Sequence, residues 1–320
     1  QGRPEECQRS PCRAPPGAPQ EMRVREVGAP FRRARRLAGL ASTPYRLPEQ
    51  LRGRPGRSDE AVRVDLSGVP PQGGAAVIEP GLVVLRGALG HAEQRRLASE
   101  AWAAGCGQRN PAHTFFEADG SLRGPKGARG RVFDACARFG PRLTGLLLPA
   151  CASWVSKARA LDASMPGHEA SHLLMLYYPE GGTLGFHRDE QANDGTGDEP
   201  VVNLSLGGEM DFAVRHQHTD VARVLTLRSG DVVIFGGPCR RLLHAVAATR
   251  RAPAGVEVLP EAAAGGRLSF TLRHAPEVIG HEHLYADFRP QADDAMRRPT
   301  GDEQLLGPEE AARRLAAMVR

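Results

Sequence analysis

The stretch "LGFHRDEQANDG", residues 184–195, sets His187 and Asp189 one residue apart, between an apolar run and a Gly- and Asp-rich loop. Along a strand successive side chains alternate sides, so these two project from one face and can grip a single ion together. A third ligand has to come from elsewhere. His244 in "RRLLHAV" is the best candidate, and the 244 − 189 = 55 residues between leave room for strands that return the chain across a barrel mouth. Two imidazoles and one carboxylate make the ligand set of non-haem Fe(II) enzymes, which leaves positions open for a co-substrate and oxygen. HxD also arises by chance. "HQHTD" (His216, His218, Asp220) falls in an expected hairpin loop and "HEHLYAD" (His281, His283, Asp287) lies beyond the last expected strand, so both are read as polar segments without a metal.

A second pattern lifts His187 above these rivals. In "RLSFTLR", Arg267 and Arg273 are six residues apart and share one face of a strand. Arginine presents a planar fork that matches a carboxylate with two bonds, and two such groups facing into a barrel are costly unless an anion arrives. A dicarboxylate co-substrate would be that anion. Pairing of both arginines with local acids is the alternative.

These residues need a scaffold, and the chain is large enough to supply one: 320 residues, 41% apolar, can bury a sizeable core. From His172 onward short runs recur at even intervals: "HLLMLYY", "TLGFH", "VVNLSLG", "MDFAV", "RVLTL", "DVVIFGG", "RLLHAV" and "RLSFTLR". Turn residues such as "PEGG", "NDGTGDEP" and "RSGD" separate them. Short strands punctuated by Gly-rich turns indicate an antiparallel sandwich or barrel, with a jelly roll the economical form. Ahead of them, "GLVVLRGAL" (81–89) reads as a strand feeding the helix "HAEQRRLASEAWAAG" (91–105), and "GPEEAARRLAAMVR" reads as a terminal helix.

The formal charge is +5, and its distribution says more than its sum. Arginines cluster in "FRRARR" and "RGRPGR", and residues 121–142 hold Arg123, Lys126, Arg129, Arg131, Arg138 and Arg142 against Asp134 alone. Either cluster could follow a phosphate backbone, or be a solvated surface. The six cysteines are widely spaced without a CxxC pair, which points to a reducing, intracellular setting and no disulfide framework. No stretch approaches 18 uninterrupted apolar residues, so no membrane span is expected. Residues 1–60 are expected to be a disordered or linker-rich basic region, 61–170 an N-terminal extension, 171–290 the barrel, and 291–320 a tail with a helix.

In that order, "LYYPEGGTLGFHRDE", "VVNLSLGG", "SGDVVIFGGPCRRLLHAV" and "RLSFTLR" resemble the AlkB family of Fe(II)- and 2-oxoglutarate-dependent dioxygenases, over about residues 170–275. The likeness is closest to bacterial AlkB and the first animal AlkB homologue. It implies a mainly β protein with flanking helices: a double-stranded β-helix (jelly roll) preceded by a strand–helix and lid extension. It also implies His187, Asp189 and His244 as iron ligands, Arg267 and Tyr178 on the distal carboxylate of 2-oxoglutarate, and Arg273 near the carboxylate that chelates iron. Two residues depart from the family pattern. Leu176 stands where the family has Asn two before the Tyr, and Ser269 where it has Asn two after the first Arg. Each loss removes an amide that would bond the co-substrate, Ser having the shorter reach, so weaker 2-oxoglutarate binding is expected.

The activity implied is oxidative decarboxylation of 2-oxoglutarate with O2, coupled to hydroxylation of a C–H bond. On an N-methyl group the product loses formaldehyde, which is demethylation. The expected partner is DNA or RNA with an alkylated base, such as N1-methyladenine or N3-methylcytosine, acted on by a monomer. The segment 105–133 matches the family's nucleotide-recognition lid, with Phe115 or Phe116 as stacking rings and Arg123, Lys126, Arg129 and Arg131 on phosphates. An amino-acid or protein hydroxylase on the same barrel, and a binding module that keeps a metal for structure, are the alternatives.

Overall fold

The computed structural model describes residues 40–52, 55–107, 115, 129–135, 141–189, 197–255 and 257–274. Fifteen elements position the site, and the first seven precede the barrel: β1 (Ser42–Arg46), β2 (Glu60–Val64), β3 (Ala75–Glu79), β4 (Leu82–Leu85), α1 (His91–Gly107), β5 (Arg129–Ala135) and α2 (Pro141–Leu161). The barrel strands are β6 (His172–Tyr178), β7 (Leu184–His187), β8 (Val201–Gly207), β9 (Glu209–Arg215), β10 (Ala222–Leu227), β11 (Val232–Phe235), β12 (Leu243–Arg250) and β13 (Arg267–Arg273). Every run expected from His172 onward is a strand, as are residues 82–85 ahead of the helix 91–107.

The strands form two sheets, in the orders β1-β2-β10-β9-β12-β7 and β3-β4-β11-β8-β13-β6-β5. The barrel strands divide between them, β6, β8, β11 and β13 in one and β7, β9, β10 and β12 in the other, alternating except at the β9–β10 hairpin, which is the winding of a double-stranded β-helix. Pairing is antiparallel except between β10 and β2.

Alternation along the strands separates three cores. Leu268, Phe270 and Leu272 of β13 and Leu173, Met175 and Tyr177 of β6 face outward onto Leu97 and Trp102 of α1 and Leu143, Leu147 and Trp154 of α2. Tyr178, Phe212, Leu225, Val233, Phe235 and Val246 fill the barrel interior. Leu47, Leu51 and Ala61 cover the outside of the other sheet over Ala213, Val224 and Ala245. The opposite face of β13 is Arg267, Ser269, Thr271 and Arg273, all buried. Burying that polar stripe is unfavourable unless its groups are bonded, so the chemistry resides there.

Two local features hold the frame. Gly81, at φ +87°, makes the β3–β4 turn; its N–H donates to Asp162 Oδ2 at the end of α2, 2.6 Å, and a Cβ would collide with Gly236 O. Asp211 on β9 accepts from Arg63 of β2 (2.9 Å), Arg250 of β12 (2.7 Å) and Tyr45 of β1 (3.0 Å), tying the β1–β2 pair to the barrel. β1 and part of that pair fall within residues 1–60, where the composition suggests linker. α2 and β5 are likewise not among the elements expected from the sequence.

Candidate metal centre and co-substrate pocket

The register of β7 against β12 sets His244 opposite His187. Directly opposed residues share a face of the sheet, and here the two rings lie with centroids 4.2 Å apart. Asp189 does not continue the strand, as simple alternation would have it: β7 ends at His187. Arginine side chains bonded to backbone carbonyls hold the turn instead. Arg240 Nη1 donates to the carbonyl of Asp189 and Arg188 Nε to that of Arg241, each at 2.9 Å. Asp189 Oδ1 thereby comes 3.7 Å from Nε2 of both histidines, and the three ligand atoms lie within 4.8 Å of one another.

Electrostatics suit the group to a divalent ion. His187 Nδ1 lies 2.9 Å from the Gly185 carbonyl and His244 Nδ1 3.2 Å from that of Leu242. A carbonyl only accepts, so each Nδ1 carries the hydrogen and each Nε2 keeps its lone pair for the centre. Burial pushes His244 down to about 4 despite the opposing charge of Asp189, so the ring is neutral at pH 7. Burial alone would raise the Asp189 carboxyl; nearby charge, that of Arg273 first and of Arg240 as well, outweighs it and holds it at about 2. Two neutral nitrogens and one anionic oxygen are donors that fit Fe(II). The His187 side chain is 36% exposed against 9% for His244, so the centre opens on the His187 side.

Glu79, His216 and Cys239 make a second group of this spacing. It is an ion-pair cluster. The buried Arg223 guanidinium bonds Glu79 and His216 Nε2 lies 3.2 Å from its other oxygen, so a cation already occupies the carboxylate. The "HQHTD" segment itself lies between β9 and β10, while "HEHLYAD" is outside the described residues.

Beyond the metal group, the polar face of β13 leads to Arg267, which is fully buried. Tyr178 lies opposite it on β6, with the ring centroid 5.2 Å from the guanidinium carbon. Arg267 bonds neutral groups: Ser205 Oγ at 2.9 and 3.2 Å, Ser269 Oγ at 3.2 Å and Asn203 Oδ1 at 3.3 Å, with the Tyr178 side chain a further partner. Among the described residues no carboxylate pairs with it, and its Nη1 is buried without a hydrogen-bond partner. Burial lowers it to about 10, which still leaves a cation at pH 7. A buried cation lacking an anion fits a dicarboxylate, whose second end Arg273 would meet beside the metal, 3.9 Å from Asp189 Oδ2.

On the substrate side the outcome differs. Phe115 is 0% exposed, with Trp102 at 5.3 Å and Tyr177 at 6.4 Å between ring centroids, so it belongs to the core and offers no face for a base. Phe116, Arg123 and Lys126 lie outside the described residues; Arg129 and Arg131 are on β5, in register with Tyr177 and Leu176. Asn203, Ser205, Arg188 and Arg240 were not singled out from sequence. The first two had a signal, the polar alternation in "VVNLSLG".

The model of the 2OG-Fe(II) oxygenase superfamily matches residues 81–273, which spans the triad, both arginines and the preceding strand and helix. The chain belongs to that superfamily. Its members use Fe(II), 2-oxoglutarate and O2, and the donor set and the uncompensated Arg267 fit that use. The AlkB resemblance is carried by relatives. A DNA N(6)-methyladenine demethylase, ALKBH1C of Arabidopsis thaliana, is 28% identical over 62% of this chain and 49% of its own length. The tRNA demethylase abh1 of Schizosaccharomyces pombe is 34% identical over 24% of this chain and 26% of its own. The chain thus spans about half the length, or less, of the curated relatives it matches. The solved structure of OsALKBH1 aligns at 22% identity with a TM-score of 0.49, covering 62% of this chain and 99% of that one. Among the described residues no helix is long and apolar enough to cross a membrane.

Proposed function

We propose that this oxygenase is an oxidative demethylase of N-alkylated bases in DNA or RNA, with His187, Asp189 and His244 holding the iron and Arg267, Tyr178 and Arg273 the 2-oxoglutarate. The observation that carries the reading is the conjunction of a complete His-Asp-His group with a buried arginine that no described acid neutralises. The names of the relatives, a DNA demethylase and a tRNA demethylase, support the substrate class. When bound, iron and 2-oxoglutarate supply oxidation of an unactivated C–H bond with O2. The protein's own residues do the rest. Arg240 and Arg188 hold the Asp189 turn, the Gly185 and Leu242 carbonyls fix the imidazoles, and the apolar interior around Phe212 and Phe235 excludes water.

Among the described residues the metal group is exposed on the His187 side while His244 is buried, so a base would reach it by leaving its stack or from a single strand. Arg129 and Arg131, with Arg123 and Lys126 before them, supply cations for phosphates, and binding accordingly weakens steeply with salt. The protein would act as a monomer within the cell.

A panel of oligonucleotides bearing N6-methyladenine, N1-methyladenine or N3-methylcytosine, in DNA and RNA, assayed for formaldehyde with iron and 2-oxoglutarate, tests this. Release from one class supports the reading. Succinate formation with a peptide or free amino acid and none with the panel would make the protein a hydroxylase instead.

A further inference from the structure

The two departures from the family pattern, Leu176 and Ser269, leave the pocket short of two amides. The structure contains another one. Asn203 on β8 lies opposite Thr271 of β13, two pairs along from Ser205 opposite Ser269 and on the same face. Its Nδ2 donates to Thr271 Oγ1 at 2.8 Å and to Ser269 Oγ at 3.1 Å, while its Oδ1 accepts from Arg267 Nη2 at 3.3 Å. The carboxamide therefore stands beside the short Ser269 hydroxyl, in the volume that a longer side chain at 269 would need. Leu176, by contrast, is the partner of Ser269 on the other side and belongs to the apolar interior.

We infer that Asn203 is a positioning residue for the co-substrate arginine, an amide moved from β13 to the facing strand β8. The inference rests on the reading that this pocket takes 2-oxoglutarate. Ser205 and Asn203 engage Nε and Nη2 of Arg267, and together they fix the plane of the guanidinium. Nη1 is the atom they leave over, buried and unbonded, so the free corner of the fork points away from the β8 hydroxyl and amide. A carboxylate arriving there meets a donor already held in one orientation, and pre-ordering of this kind strengthens binding without adding a contact. On this inference the missing amide at position 269 is made good from β8, while the one missing at Leu176 is not.

The exchange makes a specific pattern across variants, read as 2-oxoglutarate titrated calorimetrically into Mn(II)-loaded protein, with melting temperatures recorded alongside. Asn203→Ser weakens binding about tenfold, the effect of one lost hydrogen bond to a charged group. Ser269→Asn alone also weakens it, because Asn203 already fills that space. Combining the two restores affinity to within about threefold of the original, which a merely structural role for Asn203 does not predict. Asn203→Asp places a carboxylate on Arg267, so it abolishes 2-oxoglutarate binding while leaving the melting temperature equal or higher. Undiminished binding by Asn203→Ser or by Asn203→Asp overturns the inference, as does a double variant no better than the weaker single one. Absence of saturable binding to the unmodified protein would instead remove the co-substrate reading itself, and this inference with it.

Discussion

Replacing Arg267 by Met should make the ligand-free protein more stable and blind to 2-oxoglutarate at once. Burial lowers Arg267 from its ordinary 12.5 to about 10. A base whose folded pKa is depressed destabilises the fold at every pH below that value, so at pH 7 the full penalty applies. At about 1.4 kcal/mol per tenfold change in proton affinity it amounts to roughly 3 kcal/mol. Met keeps a similar length and carries no charge. Against this gain, Ser205 Oγ and Asn203 Oδ1 lose a donor, about 1 kcal/mol each, while Ser269 Oγ, which also loses Arg267, keeps Asn203 Nδ2 at 3.1 Å. The net expectation is a gain of about 1 kcal/mol, which for a protein of this size raises the melting temperature by roughly 2–4 °C. Scanning calorimetry of Mn(II)-loaded protein, with and without 2-oxoglutarate, is the assay. The unmodified protein should gain about 2.7 kcal/mol at a hundredfold excess over Kd, and Arg267→Met nothing. A variant destabilised by more than about 2 kcal/mol would refute the argument, since it would mean that Arg267 already has an anion within the fold.

Three other outcomes follow from the geometry. Ala at His187, Asp189 or His244 should abolish stoichiometric iron measured by elemental analysis, whereas His216→Ala, in the ion-pair cluster, should retain it. Burial alone would raise the Glu79 carboxyl, but its hydrogen bonds with His216 and Arg223 prevail and hold it at about 2. The roughly 3 kcal/mol this contributes is present above the unfolded value of 4.5 and is lost as pH falls toward 2. Denaturant unfolding at pH 6 and pH 2.5 should accordingly show Glu79→Gln less stable at the first and nearly equal at the second. Phe115→Ala should cost about 3–5 kcal/mol of stability and leave the 2-oxoglutarate Kd unchanged, which equilibrium unfolding and titration can check together.

The barrel and its metal group were legible because each obeys a short-range rule. Strands β6 to β13 announce themselves by apolar runs between Gly-rich turns, and an HxD on a strand end needs only a later histidine on a neighbouring strand. β1 and β2 obey no such rule. β1 is almost wholly exposed, so it shows no buried alternation, and what fixes the pair is Asp211, 148 residues from Arg63 in the chain. α2 does carry its signal, with Leu143, Leu147, Cys151, Trp154, Val155 and Ala158 buried at helical spacing, but Gly145 and Pro149 interrupt the pattern as breakers would. Pro149 sits on the exposed side of that helix. Asn203 escaped notice for a different reason. Its meaning depends on which residue of β13 it faces, and register across 68 positions is not a property of either segment alone.

The two-sidedness of β13 bears on how the chain finds this fold. β13 enters between β6 and β8, and so is the last of the barrel strands in sequence to join that sheet. Both pairings are long-range, the kind that forms slowly and leaves time for misalignment. A slip of one residue exchanges the faces of a strand. Here it would drive Arg267 and Arg273 against Trp154 and Leu147 and turn Leu268, Phe270 and Leu272 toward the metal group. The arginines proposed to recognise an anion would thus also proofread the closing of the sheet, and a variant that turned the stripe apolar to gain stability would lose the feature that makes one alignment the right one.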